Sequence, residues 1–548
     1  MDTAPFLPLS SSSSFSSSAI AMDGVVDYRG DPVSRFTSGG WTAALFIIGV
    51  ELAERFAYYG VSSNLITYLT GPLQESTASA AAAVNTWSGM ASMLPLAGAF
   101  VADSYLGRHR TILVASLLYI LGLGLLTLSS VLPSLRPPKC SINYGKTCSP
   151  SSFQVFFFYF SLYLVALAQG FHKPCTQAFG ADQFDEKDPE EGLSRSSFFN
   201  WWFFGLCLSI SITIIILPYV QDNVSWALGF GLPFIAMGIA LIIFLIGTKK
   251  YRIQQLKGRS PFLRIGKSFA ALIKGTATSE GSELHHSKHK SDKEPNDLQI
   301  EEAKGLLRLF PLWLTCLIYG IVYAQSSTFF TKQGGTLDRK IGSSFQVPPA
   351  ALQSFISISI VAFVPIYDQI LVPLTRKLSR IPTGITKLQR IATGIVLSVL
   401  SMTVAALVEM KRLKTAKDYG LIDQPEAIIP MSLWWLAPQY ILCGITEVFT
   451  LVGMQEFFYD QVPDELRSIG LALYYSIFGI GNFISSFLIS VINKTTRSRG
   501  ESWFSDNLNS AHLDYFYWLL AGLSFVELIV FLVFSRAYVY KKQQITAE

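Results

Sequence analysis

Apolar stretches of bilayer length recur along the whole chain. A helix needs about 20 apolar residues to cross the hydrocarbon core. The run from Ile112 to Ser134 carries no charge, and neither does the run from Trp226 to Gly247. Comparable windows lie near 41–61, 80–103, 153–172, 198–219, 306–327, 350–374, 390–408, 431–456, 468–492 and 515–535, giving twelve spans. Strand-like alternation is scarce, so the spans are predicted to be helices. A polar stretch, 248–304, divides them six and six, and Leu298–Lys304 reads as a helix entering the seventh span. The expected fold is an all-α polytopic membrane protein with twelve transmembrane helices in two six-helix bundles, over 38–247 and 305–540. The expected flanks are a disordered Ser-rich tail at 1–37 and a short tail at 541–548. Lys and Arg gather on the side that carries both tails and the linker, so that side is predicted to be cytoplasmic.

Composition supports the same picture. Of 548 residues, 50% are hydrophobic and only 15% are charged, against about 25% charged in a soluble domain. Mean hydropathy is +0.38. The lipid bilayer is therefore an expected partner. A net charge of +5 gives no footing for nucleic acid. The linker histidines His285, His286 and His289 read as part of a solvated basic segment rather than a metal site. No metal-ligand cluster, phosphate-binding loop or nucleophile elbow is present, so neither a metal nor a cofactor is expected, and the chain is not read as an enzyme. Cys140 and Cys148 share one loop on the non-cytoplasmic side and would pair if that side is oxidising. No basic leader precedes Ser10–Ser18, so a secretory signal is not expected, and Met22 is an alternative start. Asn223 and Asn493 open glycosylation sequons close to a membrane edge.

Charges inside the spans carry the candidate chemistry. An ionisable residue there costs about 2.5–3.5 kcal/mol by insertion scales. Glu51, Glu54 and Arg55 fall within one turn of the first span. Spacings of three and four place Glu51 on one face with both others. Two acids against one base make a net-negative cluster that can take up a proton, as a proton-coupled carrier requires. Lys173, just before Pro174 at the end of the fourth span, is the available cation to pair with Glu51 or Glu54. Glu447 lies well inside the tenth span and is a cavity candidate. Glu456 and Asp368 read as structural groups, and Glu527 in the twelfth span has no evident partner. After the second span, Gly98–Arg108 ends in a loop where Asp103 can pair with Arg108 or Arg110 as a latch between moving helices.

Together these residues resemble a known family. Gly98-x-x-x-Ala102-Asp103-x-x-x-Gly107-Arg108 is similar to the loop motif of the major facilitator superfamily. Glu51-x-x-Glu54-Arg55 resembles the signature of proton-coupled oligopeptide transporters. Lys173-Pro174-Cys175, Phe179–Asp185, Phe199–Trp202, Leu309–Trp313, Asp506–Asn509 and Tyr515–Trp518 resemble the plant nitrate/peptide transporter branch. The resemblance implies a symporter working by alternating access in the plasma or vacuolar membrane of a plant, with protons and a small solute such as nitrate or a di/tripeptide as partners. It implies proton coupling by Glu51, Glu54, Arg55 and Lys173. Glu447, Tyr323 and Tyr59 would face the substrate. Two departures bear on the substrate. Tyr323 stands where nitrate carriers of the family place a histidine, and Cys207 and Ser209 stand in the span-five stretch where the family's peptide-contacting asparagine is missing. A larger metabolite or hormone, an uncoupled uniporter or exporter, and a sensor on the same scaffold remain alternatives.

Overall fold

The computed structural model describes residues 21–35, 38–137, 149–185, 188–255, 295–342, 345–379, 385–462, 467–498 and 502–538. The Cys140–Cys148 loop, the Ser10–Ser18 tract and the linker histidines lie outside the described residues. Each predicted window coincides with a helix. In the first half these are α1 Gly40–Ser62, α2 Thr77–Val101, α3 Arg108–Val131, α4 Ser152–Ala181, α5 Pro189–Asn223 and α6 Trp226–Gly247. In the second half they are α7 Pro295–Tyr323, α8 Ser354–Ile366, α9 Lys387–Asp418, α10 Ala437–Asp460, α11 Arg467–Arg497 and α12 Leu513–Ala537. Ten of the twelve, α8 being counted with the turns that extend it to Pro349–Lys377, are long and apolar enough to cross a bilayer by length and composition. The other two have visible reasons: α1 carries Glu51, Glu54 and Arg55, and α2 is rich in Ala, Ser and Gly.

Local signals set several helix starts. Ser151 and Gln154 form a reciprocal capping box at α4, and Thr386 and Gln389 form one at α9, so two otherwise orphaned backbone donors are satisfied at each start. Asp188 caps α5 just before Pro189, where the missing N–H costs nothing. Two helices loosen toward the face where α1 begins. α2 runs into a π turn, Ala102–Leu106, and α8 into another, Tyr367–Leu371, before continuing as Val372–Ser379. Asp103 and Asp368 occupy matching places in these turns.

α1–α6 pack into one bundle through α3 on α4, α2 on α4, and α1 on α5 and α6. α7–α12 form the second through α9 on α10 and α12, α8 on α10, and α7 on α11 and α12. α2 against α11 and α5 against α8 join the two. Glycine makes the closest crossings possible. A Cβ on Gly320 of α7 would lie 2.6 Å from the Ile477 carbonyl oxygen and 3.0 Å from Gly481 Cα of α11. At the bundle seam, a Cβ on Gly89 would lie 2.9 Å from the Phe483 ring and 3.0 Å from the Gly479 carbonyl oxygen. Outward-facing Leu, Ile, Phe and Val such as Phe156, Ile239, Phe487 and Val533 are exposed, as expected of surfaces that meet lipid tails rather than water.

Among the described residues, the hydrogen bonds that join the bundles lie in the half away from the start of α1. Asn85 Nδ2 donates to Ser485 Oγ at 3.0 Å, and Thr86 and Ser486 share a hydroxyl contact at 2.9 Å. Thr77 N donates to Asp506 at 2.7 Å, Gln353 Nε2 to the Ser63 carbonyl at 2.8 Å, and Lys332 Nζ to Thr70 Oγ1 at 3.0 Å. Residues 21–35, read from the sequence as part of a disordered tail, carry two strands. Ala21–Val26 pairs antiparallel with Pro32–Ser34 and with Ile253–Gln254 just after α6. Arg252 anchors this small sheet. Only 1% exposed, it donates to Glu191 at 2.7 Å and to the Gln183 and Arg35 carbonyls.

Candidate functional site

One turn of α1 supplies the densest charge inside the protein. Glu51, Glu54 and Arg55 are 3%, 0% and 3% exposed, so protein encloses them rather than lipid. Arg55 Nε donates to Glu51 Oε1 at 2.8 Å. Its Nη2 lies 2.8 Å from Glu54 Oε2, an ion-pair contact without hydrogen-bond alignment. Glu54 Oε1 also accepts from the Tyr119 hydroxyl of α3 at 3.3 Å. Glu51 Oε2 has no donor among the described residues. One guanidinium thus bridges two carboxylates, and the cluster stays net negative.

Lys173 comes close to this cluster but not in the expected way. It lies within electrostatic reach of both acids, yet closes no ion pair with either. Its Nζ instead sits 5.3 Å from the ring centre of Tyr475 on α11. Arg55 already fills the near side of both carboxylates, and like charge keeps a second cation back. The ammonium meets the aromatic face of the opposite bundle, a cation–π contact worth about 0.5–2 kcal/mol. His172 packs into the first bundle, with Nδ1 3.0 Å from the Thr176 hydroxyl.

The second-bundle candidates gather across the seam from α1. Glu447 of α10 lines a small cavity with Tyr319, Tyr323, Ser326, Ser398 and Ser401. Tyr59 of α1 lies within electrostatic reach of Glu447, and Tyr323 within reach of Glu447, Tyr59 and Tyr58. The Tyr323 ring packs edge-on against Phe478 at 5.2 Å. Glu447, Tyr323 and Tyr59 are therefore brought together, two from one bundle and one from the other. In α5, Ser209 donates to the Leu52 carbonyl at 2.9 Å, so it ties α5 to α1 instead of offering a free polar group to the cavity.

The loop latch forms with one exchange of partners. Arg108 Nη1 donates to Asp182 at 2.6 and 2.8 Å, while Asp103 is a weaker neighbour at 3.5 Å from Nε. Gln254 also donates to Asp182 at 3.1 Å. Burial pushes the Asp182 carboxyl above the usual carboxylate range, against the pull of Arg108. Arg110 takes no part: it is exposed and makes no ion pair with a described residue. Residues two apart on a helix point to different sides, so only one of the two arginines can face α4. The second bundle carries a matching clasp at the starts of α9 and ends of α10. Lys387 pairs with Asp460, and Arg390 lies 3.3 Å from Glu456 and 4.4 Å from the Tyr367 ring centre. Asp368 is exposed beside it.

The sequence reading missed Tyr119, Tyr475 and Asp182, because each acts through a partner far away in the chain. It also missed a fully buried pair, Glu409 and Arg412 of α9. Arg412 donates to Glu409 at 2.6 Å, to the Leu508 carbonyl at 2.6 Å and to Asn509 at 3.1 Å, which gives the Asp506–Asn509 motif a structural task. The pair falls just past the apolar window 390–408, in a run that also holds Lys411 and Lys414, so only its Glu-x-x-Arg spacing could have signalled it.

Two six-helix bundles meeting around charged and aromatic side chains at mid-depth define a membrane transporter. The POT family model, PTR2, matches residues 109–504. Protein NRT1/PTR FAMILY 5.10 of Arabidopsis thaliana is 59% identical over 540 residues, covering 94% of this chain and 96% of that one. Protein NRT1/PTR FAMILY 5.14 of the same plant is 54% identical over 543 residues, with coverages of 94% and 96%. The chain belongs to the POT family, in its NRT1/PTR branch. Solved structures agree in fold. An auto-inhibited POT family peptide transporter superposes with a TM-score of 0.70 at 20% identity, covering 92% of this chain and 99% of that one. A POT family transporter in complex with 5-aminolevulinic acid gives 0.65 at 18% identity, covering 90% and 96%.

Proposed function

We propose that this protein is a proton-coupled symporter that moves a small solute across a plant membrane by alternating access. The single observation that carries the reading is the Glu51–Arg55–Glu54 cluster. It is buried, net negative, and faces a lysine that already reaches into the other bundle. With the termini in the cytoplasm, bonds joining the far half describe the inward-facing state. A proton on Glu54 or Glu51 loosens Arg55 from that carboxylate. The freed positive charge then competes with Lys173 for the remaining acid, and the Lys173–Tyr475 contact across the seam is redistributed. The proton gradient contributes about 1.36 kcal/mol per pH unit, and the membrane potential about 2.3 kcal/mol per charge per 100 mV.

For the substrate, the site supports a solute with an amine or other hydrogen-bond donor at Glu447 and an acidic group toward Lys173. Short peptides and amino-acid-like compounds fit that pattern. Nitrate is the second reading: Lys173 is the cation it would use, while Glu447 and the tyrosines offer it no further positive charge. The test is uptake of labelled dipeptides and nitrate by cells expressing the protein, at two external pH values. Acid-stimulated uptake lost in both Glu51→Gln and Glu54→Gln supports coupling. Uptake that stays acid-stimulated in both variants removes it.

A further inference from the structure

Among the described buried acids that the proposed cycle does not use, Glu409 is paired with Arg412 and Asp514 lies near His512, but Glu527 faces no cation. Glu527 of α12 is 1% exposed, and no described protein group hydrogen-bonds either of its carboxyl oxygens. One turn earlier, on the same face, Ser524 is 0% exposed and its hydroxyl is likewise unpartnered. α12 is otherwise strongly apolar at this depth, running Leu-Ser-Phe-Val-Glu-Leu-Ile-Val over 523–530. The helix packs against α7 and α9. From α7, the Cys316 thiol lies within electrostatic reach of the carboxyl, and the Tyr319 backbone approaches it without closing a hydrogen bond. On α9, Lys387 and Arg390 pair with Asp460 and Glu456 at one end and Glu409 with Arg412 toward the other, while Lys411, Lys414, Lys417 and Asp418 are exposed, as are Lys304 and Arg308 of α7. None of them acts on Glu527.

An ionised carboxylate enclosed without a cation or donor costs several kcal/mol. A leucine or methionine would fill the same space without that cost, so the acid has to be explained by what a proton does there. Tyr319 supplies the route. Its backbone lies against Glu527, while its side chain lines the cavity beside Glu447 and comes within reach of Thr450 and Tyr474. One residue separates the buried acid from the central cavity. We propose that Glu527 is a second proton-binding carboxyl, in the second bundle, which exchanges its proton with the central cavity when α7 shifts at Tyr319. The carboxyl O–H bond breaks, the proton passes to cavity water, and the carboxylate is reprotonated from the same side. The proton site itself does not depend on the symport reading; only its use in transport does.

Infrared titration of the full-length protein in lipid tests this without a substrate. Wild type should show a carboxylic-acid C=O band that fades as pH is raised. Glu527→Gln, a neutral isostere, should lose that band while Glu54→Gln and Glu447→Gln keep it. A band unchanged in Glu527→Gln, or one that ignores pH, overturns the proposal. Should Glu527→Gln fail to fold, Cys316→Ala reports on the same group: it should shift the band, and an unshifted band overturns the assignment. Loss of proton-driven uptake with this titration intact would count against the symport reading alone.

Discussion

At the residue scale, the α1 cluster depends on unequal partners. Arg55 serves two acids, so removing it does more than break a pair. Arg55→Ala leaves two enclosed carboxylates facing each other, which costs about 3–5 kcal/mol. The expected outcome is a sharply reduced yield of folded protein, measured by the monodisperse fraction after extraction. Tyr119→Phe is milder. It removes one hydrogen bond of 3.3 Å to Glu54, worth about 0.5–1.5 kcal/mol, and should shift the pH midpoint of uptake while leaving expression unchanged. Lys332 gives a pH dependence of stability outside the spans. Burial pulls its ammonium below the ordinary value of 10.5, against the pull of Asp506 and Glu426. A base lowered on folding binds its proton less readily when folded. Its penalty is therefore full below the folded-state value and disappears as pH rises toward 10.5. Lys332→Met lacks that penalty, so its melting temperature relative to wild type should be highest near neutral pH and decline in alkali. A constant difference across that range would contradict the assignment.

At the element scale, helix crossings and helix ends decide what can move. The α7–α11 crossing is closed by glycine on both sides, Gly320 and Gly481. A large side chain there has no room, and overpacking costs about 1–3 kcal/mol. Gly481→Leu should therefore lower thermal stability, read by melting in detergent, whereas Gly522→Ala should not, because nothing lies within 4 Å of a Cβ at Gly522. The π turns at the ends of α2 and α8 place Asp103 and Asp368 in corresponding positions, yet the clasps differ. In the first bundle Arg108 reaches Asp182 at the end of α4; in the second, Lys387 and Arg390 reach Asp460 and Glu456 at the end of α10. Each clasp ties one helix start to a neighbouring helix end within its own bundle. These ties brace each bundle internally, so the alternating-access cycle proposed above would place its movement at the seam.

At the scale of the whole molecule, the hydrogen bonds across the seam among the described residues lie in one half. Short polar side chains and glycines of α2 and α11 meet there, including Asn85 with Ser485 and Thr86 with Ser486. A disulfide built from Asn85→Cys and Ser485→Cys should lock this half shut. Uptake should fall to background under oxidising conditions and return with reductant. Uptake that persists with the bridge formed would mean that the far half does not open during transport.

Much of this was legible from the chain itself. Apolar length and interrupted charge gave twelve helices and their division six and six, because a bilayer forces every backbone polar group to be satisfied within a span. The spacing of Glu51, Glu54 and Arg55 likewise gave the ion-pair cluster, since residues three and four apart on a helix are neighbours. Contacts between distant segments were not legible. Lys173 takes Tyr475, Arg108 takes Asp182, and Arg252 holds the strands at Ala21–Val26 and Pro32–Ser34 through bonds that no local pattern encodes. Sequence periodicity fixes which face of a helix a residue occupies. Only the packing of twelve helices fixes what that face meets, and so which acids find a partner and which, like Glu527, do not.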